Sequence, residues 1–127
     1  MSYIYFITPV GSDPQYQLKR ELLEEVSKAT GRELFFPLER HSGFSLDAAR
    51  VDLGNASLAI ADLSLERPSC YFELGIAQAL AVPVRIVAAT GTRLHQTANP
   101  SAIRWYSDLE QYRAIISEAI ASASQPE

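Results

Sequence analysis

The chain has few of the residues that staple or anchor small proteins. Of its 127 residues one is a cysteine, Cys70, which excludes an intrachain disulfide and a cysteine-based zinc site. The two histidines, His41 and His95, lie far apart and outside any HExxH-type spacing, so no metal site is expected. No apolar run is long enough to span a bilayer, and Met-Ser-Tyr-Ile-Tyr-Phe lacks the basic start of a secretory signal. A cytoplasmic location is the expectation, with no membrane as partner. No cluster of Lys and Arg offsets the net charge of −4, which argues against a nucleic-acid polymer. Neither GxGxxG nor GxxxxGK[ST] occurs, so a dinucleotide fingerprint and a phosphate loop are both missing.

What remains is an ordinary globular composition, 47% hydrophobic and 20% charged, enough for a single domain over residues 1–127 with a real core. Tyr3-Ile4-Tyr5-Phe6-Ile7 is a continuous β-prone run suited to a strand covered on both faces. Two prolines and Gly11 break it, and a helix follows from about Gln15 to Gly31. Its expected inner stripe is Leu18, Leu22, Val26 and Ala29, with Lys19, Arg20, Glu24 and Glu25 opposite. Glu33–Leu38 reads as a second strand near an edge, because Pro37 cannot donate to a ladder. Ser45 is placed to cap a helix over Leu46–Gly54 that carries Leu46, Ala49 and Leu53 inward. Leu58–Ala61 is apolar throughout and reads as a central strand.

A turn and a helix ending near Ala81 come next, then Val84–Ala88 as a fourth strand and Ala102–Tyr106 as a fifth. Ser107 or Asp108 caps the last helix. Strands alternating with helices predict a flavodoxin-like, Rossmann-like α/β fold: a doubly wound five-stranded parallel sheet of order 2-1-3-4-5. Ligands in such sheets bind beyond the strand carboxyl ends, at the switch between strands 1 and 3. The turns gathered there are Thr8–Pro14, Glu39–Phe44 and Asp62–Ser69.

Between Pro68 and Val84 the only charged side chain is Glu73, set among Cys70, Phe72, Leu74, Ile76 and Ala77. A carboxylate on an apolar helix costs desolvation energy unless it is paired or used. Two roles are open to it: an acid complementing the helix dipole, or a nucleophile or base at a sugar carbon. Asp62 closes the third strand at the same crevice. It either satisfies turn amides, or binds ribose hydroxyls and protonates a departing base. Gly11 and Ser12 form a tight turn or offer amides to an anion or hydroxyl. Thr8 can donate a hydroxyl there. His41 is either exposed or in contact with a base, and Cys70 reads as a packing residue. Trp105 and Tyr106 are core and rim of the last strand, or a surface for stacking on a nucleobase.

The stretch Ile60-Ala61-Asp62-Leu63-Ser64, followed by Pro68-Ser69-Cys70-Tyr71-Phe72-Glu73-Leu74-Gly75-Ile76-Ala77, resembles a known signature. It is that of the nucleoside 2-deoxyribosyltransferase-like proteins and their TIR-like nucleotide-binding relatives. Tyr5-Phe6-Ile7-Thr8-Pro9 resembles that family's first strand and loop, and Pro37-Leu38-Glu39-Arg40-His41 its base-side loop. The resemblance implies that Glu73 attacks the anomeric carbon, displaces the base and forms a glycosyl ester, which another base or water resolves. It further implies Tyr3 or Tyr5 orienting the carboxylate, Asp62 lining the sugar pocket, and His41 near the base. The expected binding set is then Tyr5, Thr8, Gly11, Ser12, His41 and Ser69, with Glu73 and Asp62 catalytic.

No cofactor is implied. The partners implied are a small nucleoside or nucleotide and further copies of the same chain in a homo-oligomer. Two departures stand out. Only Glu66 could serve as the acid the transferases carry shortly before this helix. The helix before strand 3 presents Ala49 to the pocket, with Asp47 and Asp52 to either side. These departures favour hydrolysis or binding without turnover over base exchange. A nucleotide-sensing module and a TIR-like NAD glycohydrolase are the alternatives.

Overall fold

In the computed structural model, residues 2–8, 13–40, 45–65, 68–94 and 102–123 are described. In chain order they form β1 (Tyr3–Ile7), α1 (Tyr16–Thr30), β2 (Leu34–Phe35), α2 (Pro37–Arg40), α3 (Leu46–Gly54), β3 (Ala56–Asp62), α4 (Pro68–Ala79), β4 (Val84–Ala89), β5 (Arg104–Tyr106) and α5 (Leu109–Ala123). The strands make one sheet, parallel throughout, in the order β2-β1-β3-β4-β5. This is the doubly wound architecture that the alternation of elements predicts.

Side chains alternate across the sheet, and two cores follow from that alternation. Ile4, Phe6, Leu58 and Ile60 face one way, against Leu23 and Val26 of α1 and Tyr112, Ile116 and Ile120 of α5. Tyr5, Ile7, Ala59 and Ala61 face the other way, against Leu53 of α3 and Cys70, Leu74 and Ala77 of α4. Consecutive strand residues therefore serve opposite layers.

Chain punctuation sets the element ends. Gly31 takes a left-handed conformation (φ 70°) and its N–H closes α1 onto the Ser27 carbonyl at 2.9 Å. Ser45 caps α3 through the Ala48 N–H at 3.2 Å. Of the two candidate caps for α5, Asp108 does the work, accepting from Gln111 N–H at 2.8 Å. Proline ends β2 sooner than the sequence suggests. Pro37 opens the short helix α2 instead of extending the strand, because a fixed φ and a missing N–H suit a first helical turn.

Two inward stripes differ from expectation. On α1 the buried residues are Lys19, Leu23 and Val26, while Leu18 is 53% exposed and Ala29 lies on the surface. The helix is rotated so that a lysine replaces a leucine in the core, and the acceptors waiting for that lysine make the exchange possible. On α3, Ala49 and Leu53 are buried, but Leu46 is exposed at the first turn, before the helix reaches the sheet.

Candidate active site

Pro68 occupies the first position of α4, where its missing N–H costs nothing. Glu73 falls beyond the first turn, which holds no acid, so the helix dipole does not account for it. Its side chain shares the buried stripe of α4 with Cys70, Leu74 and Ala77, and the residue is 8% exposed. The phenol of Tyr5, reaching across from β1, donates a short hydrogen bond to Glu73 Oε2. Burial raises the Glu73 pKa above the usual carboxylate value, and the Tyr5 hydrogen bond works against that rise. Tyr5 itself is pushed far above the ordinary phenol range, first by burial and then by the charge of Glu73. It therefore stays a proton donor at any physiological pH.

The tyrosine is held in turn. Phe35 of β2 stacks on Tyr5 with ring centroids 5.4 Å apart and on Tyr3 at 4.6 Å. The Tyr3 hydroxyl donates to the Asp52 carbonyl at 2.7 Å, tying β1 to α3. Of the two acids flanking Ala49, Asp47 is exposed, whereas Asp52 is half-buried and its charge adds to the rise at Tyr5. Asp52 is thus a second acid on the side of the sheet that carries Glu73. Ser69 lies one helical turn before Glu73 and is exposed, and Thr8 follows β1 half-buried.

The structure does not bring Asp62 together with Glu73. Asp62 has the parity of Leu58 and Ile60 and points to the α1/α5 layer. There it is 2% exposed and fully engaged. Its Oδ1 accepts from the Ser64 N–H at 3.0 Å and from the Ser64 hydroxyl. Its Oδ2 accepts from the Tyr106 hydroxyl at 2.8 Å and lies 3.5 Å from the Lys19 ammonium. Lys19 also donates to Asp13 Oδ2 and to Tyr106 Oη, both at 2.8 Å, over the rings of Tyr106 and Tyr112. Ser64 Oγ, having given its proton to Asp62, accepts from the Ala89 N–H at 2.8 Å. Ser64 Oγ also lies 2.8 Å from Tyr106 Oη, so the two hydroxyls share Asp62 and each other as partners.

This group of Asp13, Lys19, Asp62, Ser64 and Tyr106 joins the entrance of α1, the turn after β3, and strands β4 and β5. Sequence patterning passed over it because a lysine and a tyrosine read as surface and rim. The signal was nonetheless present: the spacing 19–23–26 is as helical as 18–22–26. Trp105 is 45% exposed, and the buried partner of the pair is Tyr106. Gly11, Ser12, His41, Glu66 and His95 lie outside the described residues. Among the described residues, no three His, Cys, Asp or Glu side chains group as a metal ion would require. No described helix is long and apolar enough to cross a membrane.

The order 2-1-3-4-5, with a buried acid and its phenol donor at strand 1, defines a doubly wound α/β protein with a candidate carboxylate centre beside the switch point. The sequence matches no protein-family model and no curated protein. Solved structures do match. One is the CMP N-glycosidase BcmB of Clostridium botulinum, with a TM-score of 0.62 and 16% identity, covering 91% of this chain and 98% of that one. Another is the 2-deoxyribosyltransferase of Bacillus psychrosaccharolyticus, with a TM-score of 0.58 and 17% identity, covering 88% and 90%. At such identities the likeness is one of fold. It is the fold implied by the resemblance to the nucleoside 2-deoxyribosyltransferase-like proteins.

Proposed function

We propose that the chain cleaves or exchanges the N-glycosidic bond of a small nucleoside or nucleotide, with Glu73 as nucleophile. The observation that carries this reading is the buried Tyr5–Glu73 pair, a carboxylate held by one phenol on an otherwise apolar helix. The two fold neighbours, named for nucleotide N-glycosidase and deoxyribosyltransferase activity, support it. In the first step a Glu73 oxygen bonds to the anomeric carbon as the carbon–nitrogen bond breaks, and the base leaves with the electron pair. The departing base takes its proton from water. In the second step water, or an incoming base, displaces Glu73 and restores the carboxylate. Tyr5 positions the nucleophile and releases part of its hold as the charge moves into the ester.

Thr8, Gly11, Ser12, His41 and Ser69 are the proposed binding set. Asp62 is left out of it, because its carboxylate is buried on the α1/α5 layer and engaged there. A homo-oligomer completes the proposal: Phe72, adjacent to Glu73 on α4, is 62% exposed, and Leu46 and Val51 of the neighbouring α3 are exposed as well. Cytoplasmic function on a free small molecule fits this assignment.

The test is a panel of deoxynucleosides, ribonucleosides, their 5′-monophosphates and NAD, with free base followed by chromatography. Wild type should release base from at least one compound, and Glu73→Gln should release none while folding at least as stably at neutral pH. The sign follows from linkage: a carboxyl whose folded pKa is raised costs stability once pH exceeds its unfolded value, and glutamine carries no such cost. Base release from NAD alone would move the assignment to the TIR-like glycohydrolases. Undiminished release by Glu73→Gln would sink it.

A further inference from the structure

Among the described residues only the Tyr5 phenol hydrogen-bonds to Glu73, so the set of the carboxylate depends on where that one ring stands. The ring torsion of a tyrosine is broad, and its plane is fixed by neighbours rather than by a steep rotamer well. Phe35, paired with Tyr5 across β1 and β2, supplies such a neighbour: the two rings lie 16° from parallel with centroids 5.4 Å apart. Phe35 also stacks on Tyr3, 4.6 Å away and 21° from parallel, whose hydroxyl is anchored on the Asp52 carbonyl of α3. A chain of contacts therefore runs from α3 through Tyr3, Phe35 and Tyr5 to Glu73 on α4. The next residue in sequence offers a matched comparison. Phe36 is 5% exposed against 6% for Phe35 and stacks on Phe6 with centroids 5.2 Å apart. It does so in the opposite layer, where the Arg20 guanidinium lies over its ring.

We infer that Phe35 is a positioning residue for the reaction, fixing the plane of the Tyr5 ring and through it the set of the Glu73 carboxylate, an inference that rests on the glycosidase reading of Glu73. Phe35 acts through the phenol and needs no contact with substrate. A ring left free to tilt loosens the single hydrogen bond, and such a bond weakens steeply once its distance and angle leave a narrow range. Two effects follow at the carboxylate. Its line of attack broadens, which a nucleophilic step feels strongly, since a displacement of about 1 Å can cost on the order of 100-fold. Its pKa rises, because burial still pushes it up while the Tyr5 hydrogen bond that opposes burial is weaker. Tyr3 of β1 and Asp52 of α3 are the other titratable groups that bear on Tyr5, and substitution of Phe35 removes neither.

The experiment compares Phe35→Leu with Phe36→Leu, each removing a stacked ring from an equally buried position in one of the two layers, in wild-type and Tyr5→Phe backgrounds. On a substrate from which wild type releases base, Phe35→Leu should lower kcat on the order of tenfold with KM within about twofold, and move the acid limb to higher pH. Phe36→Leu should do neither. In the Tyr5→Phe background Phe35→Leu should cost less than about twofold, since no phenol is left to position. Phe35→Met, whose flexible chain fills the gap without a flat face, replaces the leucine variant should that one fail to fold. Equal effects at Phe35 and Phe36, or a loss that carries over undiminished into Tyr5→Phe, are the marks of a purely structural role and overturn the inference. A carboxyl-carbon NMR titration of Glu73 reads the same contact without turnover. Its midpoint should rise in Phe35→Leu and in Tyr5→Phe and stay in place in Phe36→Leu. Should wild type release no base from any compound in the panel, the glycosidase reading falls, and the titration alone decides whether Phe35 sets the carboxylate. A midpoint unmoved by Phe35→Leu ends the inference in either case.

Discussion

Replacing Lys19 with methionine takes the only ammonium out of a group that holds two buried carboxylates. The side chain lost is 5% exposed and forms hydrogen bonds to Asp13 and Tyr106 and an ion pair with Asp62. Methionine fills the volume but supplies no proton, so Asp13 and Asp62 are left without a counter-charge in protein of low polarity. Breaking a buried pair in this way costs about 3–5 kcal/mol, far more than the pair contributes relative to a well-packed apolar substitute. For 127 residues a loss of about 4 kcal/mol lowers Tm by roughly 15 °C.

Urea titration followed by far-ultraviolet circular dichroism reads the loss directly, as a fall in midpoint with little change in slope. The double variant Lys19→Met/Asp62→Asn, which removes one charge of each sign, should regain at least about 1 kcal/mol of it. Alkali provides an independent check. Burial alone would lower the Lys19 pKa, but the charge of Asp62 and the hydrogen bond that Lys19 donates to Asp13 hold it above the ordinary 10.5. That contribution is fully present below pH 10.5 and disappears as pH rises through the higher folded value, so wild type should lose stability above pH 10.5 more steeply than Lys19→Met. A single-variant loss under about 1 kcal/mol, or parallel alkaline limbs, would refute the reasoning.

Two further outcomes follow from features already described. Tyr5→Phe removes the hydrogen bond that lowers the Glu73 pKa, so the acid limb of the kcat/KM profile should move to higher pH. With a hydrogen bond to a charged group contributing about 1.5–3 kcal/mol, the neutral-pH rate should fall on the order of 10–100-fold. An unmoved limb would show that Tyr5 does not act on the carboxylate. Ala81 ends α4 in a left-handed conformation (φ 59°), which costs a residue with a Cβ about 1–2 kcal/mol. Ala81→Gly should stabilise the fold by about 1 kcal/mol in chemical denaturation, net of the extra entropy of an unfolded glycine. Destabilisation there would mean that the methyl group has a packing role.

Much of the architecture was legible because strong local signals agreed. Apolar strands alternated with helices, Gly31 and Ser45 marked helix ends, and Pro83 came shortly after the helix that carries Glu73. Glu73 itself was legible by contrast, as one charge in an apolar stretch. Its partner Tyr5 lay in a run where every residue was β-prone, so nothing local singled out that phenol from Tyr3. Asp62 was harder. It stands at the carboxyl edge of the sheet as expected, but which layer it faces depends on the pairing of β1 with β3 and on which helix covers which side. Right-handed crossovers put α1 and α4 on opposite faces when the strand order reverses between them, and parity along β3 then sends Asp62 away from Glu73. Lys19 was invisible to polarity for a different reason: its burial is decided by Asp13 and Tyr106, which are distant in sequence or in a loop.

The lengths of the outer strands have a consequence for how such a molecule associates. β2 and β5, which close the two edges of the sheet, contain two and three residues. So little unpaired backbone gives an incoming strand almost nothing to ladder onto, and Pro37, with one residue between it and the end of β2, offers no N–H. The fold is thereby blunted against edge-to-edge aggregation, and self-assembly is left to helix surfaces, where the exposed Leu46, Val51 and Phe72 lie.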